Sequence, residues 1–294
     1  MRLGIAVLRF DWDGVPHAIG PTVGRLGRRA DQAGLDSFWV MDHFFPPTGG
    51  PDGPMLECYT TLAYVAGQTR TIKLGALVTG VVYRHPGVLV KTASTLDVLS
   101  NGRAYLGIGA AWNEAESRGL GIPFPPLRER FERLEETLRI ARQMWAGDDR
   151  EFRGEHYHLT RPLNSPNSIQ RPRPPILIGG GGMNKTLRLV AQYADACNLF
   201  DTSWGEPFEP RLDALRNHCA EVGRDYAEIE KTVYCDAPMS RRKDADALLE
   251  RMNEHAAHGF DHVIVGLPHS DGERAIDHLA EIATEAAAIV PSGR

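Results

Sequence analysis

Asp42 and His43 stand side by side where the apolar run SFWVMDHFF gives way to a Gly/Pro-rich stretch, DHFFPPTGGPDGPM. An imidazole with a reference pKa of about 6.5 gives or takes a proton near neutrality, and an adjacent carboxylate can hold its tautomer. The plainer alternative is that both side chains satisfy local backbone groups. A second pattern with chemical content is PILIGGGG followed by MNKTLRLVAQYADA: an apolar run, four glycines and an amphipathic segment. Backbone N–H groups freed of side chains can converge on an anion, and a helix N-terminus adds partial positive charge. This reads as a phosphate cradle, although its spacing is neither G-x-G-x-x-G nor a G-K-[ST] loop. A flexible turn is the alternative, but four successive glycines carry a large entropic cost without a purpose.

Two further places combine small residues with polar ones. In KLGALVTGVVYRHP, Thr79 and Gly80 break an apolar run, as at a bulge or a close approach of backbone to a ligand. In AYLGIGAAWNEAE, Gly107, Gly109, Ala110 and Ala111 remove bulk before Trp112, Asn113 and Glu114 restore it. Either a flat ligand or close packing inside a barrel selects such a run. The sequence holds no H-E-x-x-H, EF-hand loop or G-x-S-x-G elbow, and its histidines are scattered, so no metal centre is expected. His156 and His158 read as surface hairpin residues rather than ligands.

These residues need elements to position them. Apolar, β-branched runs of strand length begin near Arg2, Ser37, Lys73, Arg103, Pro175, Ala196, Ile229 and His262. Helical stripes separate them: Val23, Leu26, Ala30 and Ala33 ahead of Gly34; Phe131, Leu134, Leu138, Ala141 and Trp145 ahead of Gly147; Ile276, Leu279, Ala283 and Ala286 near the end. A parallel crossover needs a helix to return the chain, and eight such units favour a (β/α)8 TIM barrel over an open doubly wound sheet. One interval is longer, so an insertion over 147–174 is expected after the fourth helix, with a short hairpin in EFRGEHYHL turning at Gly154. The 294 residues then form a single barrel domain over 1–294. Barrel chemistry sits at the C-terminal strand ends, which is where Asp42 and His43 fall.

A net charge of −5 offers no basic field for a nucleic acid or an anionic membrane. No run reaches the roughly 18 apolar residues of a membrane span, and the N-terminus lacks a signal-peptide pattern. Four cysteines without C-x-x-C spacing read as buried small hydrophobes in a reducing compartment, so a cytoplasmic protein is expected.

Taken in order, strand-end Asp42-His43, LGALVTGVVYRHP, LGIGAAWNE and ILIGGGG resemble the bacterial luciferase-like superfamily, and more narrowly its deazaflavin (coenzyme F420)-dependent oxidoreductases. The resemblance runs from about Arg2 to Val265. It implies coenzyme F420 as cofactor, with FMN as the alternative used by relatives, a small organic substrate, and a homodimer. It implies His43 at the reactive face of the deazaflavin and Asp42 at the cofactor's edge. A bulge over Ala76, Leu77 and Val78, often with a non-prolyl cis peptide, would back the ring, with Thr79 and Gly80 at its polar edge. Gly109, Ala110, Ala111 and Asn113 match a cofactor-side loop, Gly180, Gly181 and Gly182 the phosphate cradle, and Thr186 a supporting hydroxyl. Asn198, at the end of the sixth strand, completes the implied set.

The implied reaction is hydride transfer, with His43 supplying or removing the accompanying proton. An FMN-using monooxygenase and a non-catalytic cofactor-binding barrel are the alternatives. One departure bears on the substrate. Sugar-phosphate dehydrogenases of this branch carry a glutamate in the loop after the fourth strand, where this chain has Ala110 and Ala111, with Glu114 farther on. A substrate other than a sugar phosphate is therefore expected.

Overall fold

The computed structural model describes residues 1–47, 50, 52–201 and 207–293. The elements run β1 (Arg2–Val7), α1 (Ile19–Gln32), β2 (Ser37–Val40), α2 (Cys58–Ala66), β3 (Lys73–Ala76), β4 (Thr79–Gly80), α3 (Pro86–Leu99), β5 (Ala104–Gly109), α4 (Glu114–Gly119) and α5 (Leu127–Trp145). There follow β6 (Phe152–Arg153), β7 (His158–Leu159), β8 (Ile176–Gly179), α6 (Thr186–Tyr193), β9 (Ala196–Phe200), α7 (Glu209–Val222), β10 (Glu230–Asp236), α8 (Arg242–Ala257), β11 (His262–Gly266) and α9 (Gly272–Ala288). Each strand expected from the sequence begins within one residue of its place, because alternating strand and helix patterns leave the boundaries little freedom.

Parallel pairing passes from β1 through β2, β3, β5, β8, β9 and β10 to β11, and β11 pairs again with β1. The sheet therefore closes into an eight-stranded barrel, the (β/α)8 fold. Side chains alternate across it. Ala6, Trp39, Tyr105, Leu177, Ala196, Tyr234 and Ile264 pack as one cluster within the ring, while Ile5, Phe38, Leu106, Ile178, Val263 and Val265 join the larger core under the helices. Trp39 fills the interior only because its partner in β3 is Gly75; a Cβ there would lie 2.2 Å from the indole. The helix ends expected at Gly34 and Gly147 carry φ of +73° and +76°, the left-handed turn that a glycine makes without strain.

The third strand is broken into β3 and β4. Gly75 pairs with Tyr105 and Thr79 with Ile108, so β3–β4 spends one residue more than β5 over the same stretch. That extra residue is a bulge at Leu77–Val78, whose peptide bond is cis.

The insertion holds the antiparallel pair β6 and β7, with Phe152 opposite Leu159. Gly154 opens the turn rather than forming its apex: its N–H donates to Tyr157 O at 2.9 Å. The buried Glu136 of α5 explains the shape, since its carboxylate accepts from the N–H groups of Glu155, His156 and Tyr157 and leaves no room for a side chain at 154. All four cysteines are buried and unbridged. Among the described residues, no helix is long and apolar enough to cross a membrane.

Candidate active site

The C-terminal ends of β2, β4, β5 and β8 meet at one mouth. Just beyond the end of β2, the two residues that the sequence places together turn to different partners. His43, 8% exposed, faces the mouth region, whereas Asp42 is fully buried. The expectation that both lie at the rim is therefore corrected. Asp42 accepts from Arg84 through Nη2 at 3.0 Å and through Nη1, and Arg84 also bonds Glu57. The guanidinium lies 4.8 Å over the Tyr59 ring, and Tyr59 in turn meets Thr79 Oγ1 at 2.8 Å. Burial pushes the Asp42 carboxyl up, against the pull of Arg84. This network fastens β2, α2 and the segment after β4 to each other beneath the mouth.

The carboxylate that serves His43 comes from elsewhere. Glu116 in α4, fully buried, lies 2.7 Å from His43 Nδ1, and the Tyr83 hydroxyl donates to it at 2.7 Å. The N–H groups of Phe44 and Phe45 donate to its other oxygen, the latter at 2.9 Å. Burial alone would raise the Glu116 pKa, but the hydrogen bonds from His43, Tyr83, Phe45 and Phe44 outweigh it and hold the group down at about 2. An ionised carboxylate only accepts, so Nδ1 carries a proton and Nε2 is the nitrogen left for exchange. Burial and the neighbouring Glu116 hold the Tyr83 phenol well above its usual range, so it stays a donor.

Sequence reasoning missed Glu116. The signal present was Asn113-x-x-Glu116, which reads as a capping box that would turn the glutamate back on its own helix. In the structure only half of that box forms. Asn113 accepts from Glu116 N at 3.2 Å and caps α4, while the Glu116 side chain reaches across to β2. Asn113, expected on the cofactor side, is thus engaged as a helix cap. Tyr83, Arg84, Arg130 and Arg211 were also unflagged, since nothing in their local sequence separates them from surface residues.

The bulge supplies a partly buried apolar surface, Leu77 and Val78, at the mouth. Its neighbours explain the small residues of β5 and β8. A Cβ at Gly107 would lie 1.9 Å from Ala76 O, and one at Gly109 or Gly179 would lie 3.1 or 2.9 Å from Val78. These glycines accommodate the bulge itself, so the room they leave is already filled by protein. Thr79 is fully buried, with its hydroxyl on Tyr59, and Gly80 is buried under Tyr83 and Ala111, so any polar edge presented there is main chain. Ala111 adopts φ +61°. Arg130 of α5 donates through Nη1 to the carbonyls of Ala110, at 3.2 Å, and Ala111, which fixes that loop.

At the glycine run, Gly180 takes φ +113° and donates its N–H to Asn198 O at 3.1 Å. The Asn198 side chain donates to Thr232 Oγ1 at 2.8 Å, so it staples β9 to β10 behind the glycine run. Arg211 lies along Gly181, where a Cβ would come within 2.4 Å of its Nε, and a Cβ at Gly182 would sit 2.9 Å from Thr186 Oγ1. The side-chain-free backbone of Gly181 and Gly182, partly open to solvent one turn ahead of α6 and beside the Thr186 hydroxyl, offers donors to an anionic phosphate, while Arg211 braces it by donating to Gly181 O and Pro207 O. The residues present therefore fit a cofactor that joins a flat ring at the bulge to a phosphate at α6.

A family model described as luciferase-like monooxygenase matches residues 1–290. Among curated proteins, an F420-dependent glucose-6-phosphate dehydrogenase of Kineococcus radiotolerans is 34% identical over 214 residues, which cover 70% of this chain. The chain spans only 60% of that relative's length. Among solved structures, the monooxygenase RslO1 from Streptomyces bottropensis superposes with a TM-score of 0.80 at 20% identity, over 98% of this chain and 100% of that one. The coenzyme F420 dependent tetrahydromethanopterin reductase from Methanopyrus kandleri gives 0.74 at 20% identity, over 97% and 99%. Likeness at that level of identity establishes the barrel.

Proposed function

The chain belongs to the luciferase-like monooxygenase family, and from that premise we propose that it is an oxidoreductase that uses coenzyme F420 to transfer a hydride to or from a small organic substrate. The observation that carries this reading is the His43–Glu116 pair at the barrel mouth, beside the apolar bulge. The F420 dependence of the curated relative supports the choice of cofactor. Its sugar phosphate is not carried over, because Ala110 and Ala111 occupy the loop where a carboxylate would be needed and Arg130 holds that loop in place.

Gly180, Gly181, Gly182 and Thr186 would hold the phosphate of the cofactor, with Arg211 beside them, and Leu77 and Val78 would back its ring. When bound, the deazaflavin supplies a carbon that gives or accepts hydride. The protein's part is acid–base and positional. Glu116 orients the imidazole through Nδ1, so Nε2 of His43 is the atom that gives or takes the proton accompanying the hydride. Glu116 also fixes the main chain of Phe44 and Phe45, which keeps the donor at a set depth in the mouth. Proton transfer by a positioned group contributes about 10²- to 10⁴-fold.

Equilibrium titration of the cofactor-free protein with oxidised and reduced coenzyme F420 and with FMN, followed by absorbance and fluorescence, tests the reading. Binding of coenzyme F420 at least about tenfold tighter than FMN, about 1.4 kcal/mol, is expected. Tighter binding of FMN would overturn it in favour of flavin chemistry on the same barrel.

A further inference from the structure

Trp112 is 67% exposed, while Trp39 and Trp145 are buried. A large aromatic ring left in water at the mouth gives up contact area that a core or a ligand would otherwise take. The backbone holds it there. Ala111, just before it, sits at φ +61°, a conformation unfavourable for a residue with a Cβ. Arg130 maintains that conformation through the Ala110 and Ala111 carbonyls, and it is anchored in turn by Pro125 O at 3.1 Å and by stacking 4.2 Å over Phe124. The indole so presented meets the His43 ring edge-on, 5.4 Å between centroids and 68° between planes, and the rest of it stays open.

The charges around it point to one kind of occupant. Arg84 and Arg130 are turned away from the mouth, Arg84 to Asp42 and Glu57, Arg130 to main-chain carbonyls. The ionised group next to His43 is a carboxylate, Glu116. A phosphate on this side would find the guanidinium groups of Arg84 and Arg130 already engaged, whereas an uncharged ring stacks on the indole without a charged partner.

We propose that Trp112 is the surface on which an uncharged planar substrate, an aromatic ketone or the corresponding carbinol, is laid with its oxygen toward His43. Trp112 thereby sets specificity against phosphorylated sugars, and Arg130 is the positioning residue that presents it. This rests on the reading of His43 as the proton-transfer group.

The test is calorimetric titration of 2-acetylnaphthalene, its ring-saturated analogue and glucose 6-phosphate into the wild type, W112F, W112A and R130M, each with and without saturating coenzyme F420. Trp112 is mostly exposed, so W112A retains the fold, which an unchanged Tm verifies. Expected are binding of 2-acetylnaphthalene weakened about tenfold in W112A and at most about threefold in W112F. R130M weakens it as well although the indole is still present, and the saturated analogue and glucose 6-phosphate bind more weakly than the aromatic ketone to every variant that keeps a ring. Equal affinity of wild type and W112A for the ketone overturns the proposal, as does tighter binding of glucose 6-phosphate. If coenzyme F420 fails to bind while the ketone still depends on Trp112, the cofactor reading fails and the stacking surface stands. If coenzyme F420 binds and the ketone is indifferent to Trp112, the stacking surface alone fails.

Discussion

Replacing Glu116 by Gln keeps shape and volume and removes the charge that organises His43. One oxygen still accepts from Phe44 N and Phe45 N, but the atom facing His43 Nδ1 and Tyr83 becomes an amide donor. The carboxylate's fall from the ordinary 4.5 to about 2 corresponds to about 3 kcal/mol of folded-state stabilisation near neutral pH. The Gln variant retains part of the network, so a loss of about 2 kcal/mol is expected, or about 4 °C in Tm for a chain of this size. The sign with pH is fixed by a depressed carboxylate: its contribution is complete above about 4.5 and disappears as pH falls toward about 2. The Tm gap between wild type and E116Q should therefore be full at pH 7 and shrink through that acid window. Nitrogen-15 spectra of labelled histidine give the second readout. In the wild type Nδ1 of His43 carries the proton, while in E116Q it accepts from the amide and the neutral ring keeps its proton on Nε2. The H43N variant identifies the resonance. An unprotonated Nδ1 in the neutral wild-type ring, or a Tm gap that persists undiminished at pH 2, refutes the dyad and leaves Glu116 an ordinary buried acceptor.

Other consequences follow from the same contacts. Gly107→Ala drives a Cβ against the Ala76 carbonyl, a backbone atom that cannot yield locally, and should cost more than about 3 kcal/mol, read as a loss of soluble protein or of several degrees in Tm. Gly179→Ala meets the Val78 side chain first, so its cost of about 1 to 3 kcal/mol should be partly recovered in the double variant with Val78→Ala; strict additivity in chemical denaturation contradicts the packing account. Arg84→Met leaves Asp42 buried without its partner and should destabilise by about 3 to 5 kcal/mol at pH 7. Because burial pushes the Asp42 carboxyl up, that loss should diminish on acidification as the group becomes neutral, and a pH-independent loss argues against it. Thr186→Val removes a hydroxyl beside Gly182 and should weaken cofactor binding about tenfold with little change in Tm, measured by the same titration that tests the cofactor.

The eight strand starts, the long insertion and the glycine caps at 34 and 147 were legible in the sequence, because hydrophobic period and backbone permissiveness are local properties that each segment carries with it. The position of the bulge was legible only through resemblance. The reason for the glycines around it was not legible, since Gly107 makes room for the Ala76 carbonyl and Gly109 and Gly179 for the Val78 side chain, all far from them in sequence. The adjacency of Asp42 and His43 misled for a related reason: just past the end of β2 the two side chains take different partners, Asp42 the Arg84 guanidinium and His43 the Glu116 carboxylate, so proximity along the chain did not make them one site.

What the sequence determined by itself is thus the barrel, its strand ends, and a histidine and a run of glycines placed upon them. Only the tertiary structure decided which carboxylate serves His43. Glu116 lies 73 residues away and reaches it because barrel closure sets α4 of one βα unit against the strand end of another. Ionic and hydrogen-bonding partners are chosen by distance in space, and a sequence pattern carries distance only along the chain.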